Sequence, residues 1–593
     1  MIDRTTRLRW RRRLRRGKRQ VEDISYQAEE QLERHFFRRL SRLPNVLRFT
    51  TVWVLLIVIL IVGVVVQTRG LDGYYLKTGP APGGTYTEGI IGSFTNANPL
   101  YATSDVDSSV SHLIFSGLFK YNQNNQLVGD LATGWQVDAH NTTYTVHLKH
   151  NLVWQDGAPL TASDVVFTYQ LIQNADTDSP LVSSWQGITV SSPDPYTIVF
   201  GLPNPLSSFP SSMTNGIVPK HILGSVKASQ LRSVSFDTVS PVGSGPFRWD
   251  AIEVSGQTPE TREEQIALLP NDSYYGGKPR LAKFIIRSFF SESKLITSFR
   301  HQELNGASGI TTLPKDLASS SANTQYNIPL QGEVMVFLKN TADILNDVKV
   351  RQALTAATNT GKVIAGLGYP VKTANEPLLT SQLGYDKSFA QMGFNQATAR
   401  QLLDSDGWVV GPGGIRVKSG KPLSFTLYSQ DNSEYAYLTK VLARQWKAVG
   451  VDARIYLQGG SDFQTTLSLH SYDALVYGIT LGNDPDVFAY WDSSQADVRS
   501  ANRLNFSEYK SAAADQALEA GRTRSDPALR VLKYRPFLEA WQADAPAIAL
   551  YQPRFLYLTH GQLYNFNPTV MVTSIDRYSN VNNWMIRQQK DLK

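Results

Sequence analysis

The chain has 593 residues, a net charge of +7 and no cysteine, which excludes disulfides, thiolate metal sites, cysteine nucleophiles and a lipid carried on an amino-terminal cysteine. The charge is local: residues 1–48 hold 15 Lys or Arg against 6 Asp or Glu, a net of +9, so the other 545 residues carry −2. The basic character therefore belongs to the leader, and nothing in the large remainder has the charge of a nucleic-acid-binding surface.

Within the leader, Leu8 to Arg19 read LRWRRRLRRGKR, a run that fixes orientation beside a first membrane span. Val21, Ile24, Ala28, Leu32, Phe36, Leu40 and Leu43 then recur every three to four residues between charged positions, the pattern of an amphipathic helix. Between Arg48 and Arg69 no charged residue occurs, and 52–66 is VWVLLIVILIVGVVV. Residues 49–68 meet the ~20 residues a helix needs to cross a bilayer core. With a basic flank before it, the span predicts a cytoplasmic amino terminus and an external remainder in the cell membrane, held by an uncleaved single-pass signal anchor. Residues 69–83 are rich in Gly and Pro without a period and read as a tether.

About 510 residues follow, too many for one ordinary core and suited to two lobes. Tyr144, Val146 and Leu148, and then Tyr196, Ile198 and Phe200, alternate with polar neighbours as half-buried strands do. Thr161 with Asp164 resembles a capping box, with Val165, Tyr169 and Ile172 following at helical spacing. Tyr437, Leu438, Val441, Leu442 and Trp446 form a helical stripe that Gly450 can end, and Val451, Ala453, Ile455 and Leu457 alternate as a strand. A helix over 462–470 leads into an apolar strand over 474–479, so the segment predicts βαβ units and a parallel sheet layered with helices.

No His-Glu-x-x-His, no Gly-x-Ser-x-Gly elbow and no complete phosphate loop occurs; Thr360-Gly361-Lys362-Val363 lacks the first glycine and the closing hydroxyl of one. Catalytic residues, metal ligands and cofactors are accordingly expected to be none. The stretch best suited to a ligand is Gly482-Asn483-Asp484-Pro485-Asp486, just beyond the apolar strand, because open α/β sheets bind ligands past the carboxyl ends of their strands. Asp484 and Asp486 can hold an ammonium group, with Phe488, Tyr490 and Trp491 as apolar wall. The same residues also fit a helix start with Asp484 as cap and Pro485 in the first turn.

Taken in order, further motifs resemble one family. They are Asn98-Pro99-Leu100, Leu113-Ile-Phe-Ser-Gly-Leu118, Leu131-Ala-Thr-Gly-Trp135, Trp154-Gln-Asp-Gly157, Leu160-Thr-Ala-Ser-Asp-Val165, Pro241-Val-Gly-Ser-Gly-Pro246, Asn271-Asp-Ser-Tyr-Tyr275, Val348-Lys-Val-Arg-Gln-Ala-Leu354, Ala399-Arg-Gln-Leu-Leu403 with Gly407-Trp408, and Tyr472-Asp473. Over about 85–557 the chain resembles the family 5 extracellular solute-binding proteins of peptide-type ABC transporters, which include oligopeptide-, dipeptide- and nickel-binding proteins. Trp154 departs from the family's usual Phe followed by His, so nothing built on that His carries over.

The resemblance implies an α/β, periplasmic-binding-protein-like two-lobed fold of type II, in the large peptide-binding cluster, behind a single transmembrane helix. Lobe I would be 84–331, with a subdomain at about 119–231, and 550–593; lobe II would be 332–549, with hinge crossings near 330–333 and 549–552. An aspartate of the second lobe would pair with a peptide's amino terminus, and Asp484 or Asp486 stands in that stretch. The expected ligand contacts are Asp484, Asp486, Asn483, Phe488, Tyr490, Trp491, Tyr477 and Asn98. The implied function is a monomeric, membrane-anchored receptor that captures short peptides and delivers them to an ABC permease driven by an ATPase, with no nucleic-acid partner. Receptors of this fold for a nickel complex or a sugar, and a sensor signalling through the helix, are the alternatives.

Overall fold

The computed structural model describes residues 47–592 apart from 259–260, 312 and 501–502; the leader, with its expected amphipathic helix, lies outside the described residues. Internal contacts divide the chain into two units, 1–79 with 588–593, and 80–587.

In the first unit, one helix runs Leu47–Tyr75. Its described side chains are continuous over 51–67, all exposed, with Leu60 at 67%. Those 17 positions fall short of about 20, and among the described residues no helix is long and apolar enough to cross a membrane. The expected tether is not irregular: the helix continues to Tyr75, and Leu76–Ala81 is a strand paired with Arg587–Leu592. Gly70 and Gly73 are tolerated because propagating an existing helix costs little beside starting one. The strand depends on a partner some 500 residues away, which local composition cannot reveal.

The second unit is built on two large sheets. One has seven strands in the order Asn323–Pro329, Arg554–His560, Gly306–Ser308, Thr85–Ile91, Lys283–Phe289, Glu263–Pro270 and Phe247–Ser255. Thr85–Ile91 runs parallel to both neighbours, so their carboxyl ends open on one side. The other sheet has six, in the order Lys372–Thr373, Ala547–Gln552, Gly332–Leu338, Ala474–Thr480, Ser424–Gln430 and Asp452–Gln458. Here Ser424–Gln430 is parallel to Asp452–Gln458 and to Ala474–Thr480, and helices Ser433–Lys447 and Gly460–Leu469 make the crossovers. These are the βαβ units expected from the alternating pattern.

Why this sheet is layered on both faces is visible in Gly332–Leu338, where every residue is buried. Val334, Val336 and Leu338 enter one apolar cluster with Leu438, Leu442 and Trp446 of the crossover helix; Met335 and Phe337 enter the opposite one with Trp491 and Trp541. Asn432 caps that helix through the Tyr435 amide, and Gly450 takes the left-handed φ of +92° that permits the turn into the next strand.

A smaller antiparallel sheet, ordered Ala132–Val137, Thr143–Leu148, Thr197–Gly201, Thr189–Asp194, shares one continuous core with the seven-stranded sheet. Its strand Thr143–Leu148 alternates half-buried and buried, and helix Ala162–Gln173 begins with the Thr161–Asp164 capping box.

The chain passes between the large sheets twice, at 330–331 and at Pro553. The crossings are bonded to each other: Leu330 N donates to Pro553 O (2.9 Å), and Gln552 Nε2 donates to Leu330 O (2.9 Å).

Candidate functional site: the cleft between the two sheets

Beside the crossings lies a cavity of about 320 Å³ whose walls come from both sheets. Ile90 and Ser308 lie at the carboxyl ends of parallel strands, Leu330 is in a crossing, and Thr480 ends the strand Ala474–Thr480. Asp105, Phe555, Ser574 and Arg577 close it. A second cavity of about 520 Å³ has Leu202, Pro205 and Leu206 on one side and Phe488, Arg522 and Thr523 on the other. A third, of about 300 Å³, lies in the first lobe and is lined by Ser108, Ser111, Ser211, Asn215, His112 and Trp185. Burial lowers the His112 imidazole to about 4, so near neutral pH it meets that pocket uncharged.

The stretch 482–486 stands where the lobes touch. The Asn483 carboxamide bonds Asn125 through both its side chain and its carbonyl, and accepts from Gln331 Nε2 of the crossing at 2.7 Å. Asn125 holds a left-handed φ of 59°, which Asn tolerates better than most residues. Asp486 accepts from Ser208 Oγ (3.0 Å), and Ser207 donates its amide (2.9 Å) and hydroxyl (3.0 Å) to the Arg522 carbonyl.

Both acids are already matched by the protein. Arg530 grips Asp484 in bidentate fashion, Nη1 to Oδ2 at 2.8 Å and Nη2 to Oδ1 at 2.5 Å, and Arg522 sits 3.2 Å from Asp486. Burial pushes the Asp486 carboxyl up from its usual range, against the pull of Arg522. Asp484 is not a helix cap. The short helix is Phe488–Trp491 with Val487 at its start, because the Asp484 carboxylate is taken by Arg530 and by the Asp486 amide (2.9 Å). Arg530→Ala is expected to cost about 2 kcal/mol by leaving Asp484 without its charged partner, read as a shift of the urea midpoint at constant slope.

The other expected contacts divide. Phe488 lines the 520 Å³ cavity with the Arg522 guanidinium 4.1 Å above its ring, and Tyr490 donates its hydroxyl to Thr480 O (2.7 Å). Tyr477 is half-buried against Phe463 and Phe506. Trp491 is not cleft wall: it is fully buried, its ring packed on Phe337 and Trp541 in the apolar layer behind the sheet. Asn98 is also withdrawn from any ligand, fully buried, donating to Asp237 (3.0 Å) and accepting from the Leu100 amide (3.0 Å). Asn125, Ser207, Ser208, Arg522, Arg530 and Asp105 escaped the sequence reading, since each reaches the cleft from a distant segment with no local motif.

Comparison with known proteins assigns this architecture. Residues 126–521, well over half of the chain, match the family model "Bacterial extracellular solute-binding proteins, family 5 Middle". The chain belongs to that family, whose members are non-enzymatic, solute-capturing components of ABC transporters working with a permease and an ATPase outside the cytoplasm. It is 28% identical to the oligopeptide-binding protein AppA of Bacillus subtilis over 486 residues, 80% of this chain and 87% of that one. The structure of that AppA in complex with a nonapeptide superposes with a TM-score of 0.70 at 25% identity, covering 86% of this chain and 100% of the other. NikZ of Campylobacter jejuni, solved with Ni(L-His), gives a TM-score of 0.72 at 23% identity over 85% of this chain and 99% of that chain, a likeness of fold.

Proposed function

We propose that this protein is a membrane-anchored receptor that captures short peptides between its lobes and hands them to the permease of a peptide importer. The observation that carries the reading is the cleft itself, walled by the carboxyl ends of strands from two sheets between which the chain crosses at two adjacent short connections. An extended peptide can bond its backbone to strand edges irrespective of its side chains, which suits varied peptides. The likeness to a peptide-bound AppA over most of both chains supports the same ligand class. Closure is a population shift: a ligand that touches both lobes stabilises the state in which they meet by its differential affinity. Bonds such as Ser208–Asp486 already connect the lobes, so the ligand adds to a preformed seam.

Anchoring by residues 49–68 is part of the proposal. It is supported by the uncharged run, the basic flank before it and the exposed apolar side chains of the helix Leu47–Tyr75.

Native mass spectrometry of the full chain, extracted from its own cells without refolding, tests the ligand class. Retained masses that fragment into amino-acid residues are expected. A retained metal complex or saccharide in their place overturns the peptide reading.

A further inference from the structure

The two lobes also meet on the side of the crossings away from the cavity. In the six-stranded sheet, Lys372–Thr373 is the edge strand beside Ala547–Gln552, whereas Thr480, which lines the cavity, ends a strand on the far side of Gly332–Leu338. In the seven-stranded sheet, Asn323–Pro329 is the edge strand beside Arg554–His560, whereas Ile90 and Ser308, which line the cavity, belong to strands on the other flank of Arg554–His560. The strands that run into the crossings therefore separate the cavity from this edge. Here Arg554, the first residue after the crossing at Pro553, lays its guanidinium over the ring of Tyr369, 3.6 Å from the centroid. Tyr369 precedes the edge strand Lys372–Thr373, so the contact joins one lobe to the other.

Both halves of the stack are braced from behind. Arg554 Nη1 donates to Asn327 Oδ1 on the neighbouring strand. Tyr369 Oη donates to Glu434 Oε2 (2.5 Å), and the fully buried Tyr551 donates its hydroxyl to Glu434 Oε1. Burial, with the Glu434 charge beside it, raises the Tyr369 phenol above its ordinary value, so it keeps the proton it donates. The ring cannot swing aside without breaking a charge-assisted hydrogen bond. As a stabilising contact, a cation over an aromatic face needs no further role. Its place supplies one. A rotation about the crossings that widens the cavity side narrows the outer side, and two groups already in van der Waals contact resist further approach, because packed side chains compress little.

We propose that the Arg554–Tyr369 stack is a stop that limits how far the cleft opens. The two are positioning residues: neither lines the cavity, and both act on the ligand through the angle between the lobes. The assignment rests on the reading of a cleft that closes around its ligand, and deepens it by naming what holds the empty receptor near its closed state. Without the stop, wider openings become accessible and the fraction of molecules poised to close falls; apparent affinity falls by the same factor.

Distances between two spin labels in the full chain test this. The chain has no cysteine, so Ala139→Cys and Gln516→Cys supply the sole thiols. Ala139 is exposed in the turn before strand Thr143–Leu148, where the Thr142 carbonyl accepts from the amide of Leu202, and Gln516 is exposed on the helix Ala512–Arg522. Leu202 and Arg522 form opposite walls of the 520 Å³ cavity, so the pair spans the gap between the lobes. In this background Tyr369→Ala and Arg554→Ala are each expected to shift the distance distribution of the ligand-free protein to longer values. Tyr369→Phe, which keeps the ring, is expected to stay close to the unmodified distribution. Thermal melts report the folding of each variant separately. A broad distribution that both alanine variants leave unchanged, or move to shorter distances, overturns the stop while the closing cleft stands. One narrow distance shared by the parent and both alanine variants means that the lobes do not open, and overturns both.

Discussion

Replacing Arg577 by Met is expected to destabilise the protein by about 3–5 kcal/mol, because it strands the Glu88 carboxylate in the core without a partner. Glu88 is 0% exposed and Arg577 2%, at 2.9 Å from each other. Burial alone would lower the Arg577 guanidinium, but the Glu88 charge outweighs that and holds it above its ordinary value. The pair connects strand Thr85–Ile91, helix Asp105–Ile114 through Ser109, and the return segment through Tyr578, positions up to 490 residues apart. Urea unfolding of the single variant and of Glu88→Gln/Arg577→Met separates the terms: the double variant removes both charges and is expected to regain part of the loss. A loss below about 1 kcal/mol in the single variant would show that water or a rearrangement satisfies Glu88.

What was legible in the sequence depended on how far apart the interacting residues are. The alternation of Tyr144, Val146 and Leu148, the Thr161–Asp164 box and the stripe from Leu438 to Trp446 each encode their element within a few residues, and the structure forms all three. The stretch 482–486 stands out by its place after an apolar strand, and the structure brings it to the contact between the lobes, where Asn483 meets Asn125 and Gln331. Its chemistry was not legible: Asp484 looks like an available charge until Arg530, 46 residues on, is seen to occupy it. Trp491 and Phe488 are three residues apart on one short helix, and only packing decides that one ring enters the core while the other lines the cleft.

Glu333 and Glu376 lead to an effect of comparable size that is governed by pH. Both are fully buried, and none of their four carboxylate oxygens has a hydrogen-bond partner among the described residues. Glu333 is the second residue of strand Gly332–Leu338, on the face of Met335 and Phe337, opposite Ile479; Glu376 follows Ala374 in the loop that covers that same apolar layer. Burial drives Glu333 far above its ordinary range, with Glu376 adding to the rise, and burial, aided by the Asp386 charge, takes Glu376 to about 8. The charged and titratable groups facing them are acids and a phenol, namely each other, Asp386 and Tyr385, so no cation compensates. A carboxyl raised in this way binds its proton more tightly folded than unfolded. Its stabilising contribution is therefore complete below the unfolded value near 4.5 and is lost as pH climbs through about 8, by up to about 1.4 kcal/mol per pH unit for each group. Wild type is expected to lose several kcal/mol of unfolding free energy between pH 5 and pH 9. The variant Glu333→Gln/Glu376→Gln, which has no charge to bury there, is expected to keep most of it and to overtake wild type on the alkaline side. Parallel curves for the two proteins across that range would mean that the carboxylates ionise at no cost, and that a cation or a water path reaches them inside the lobe.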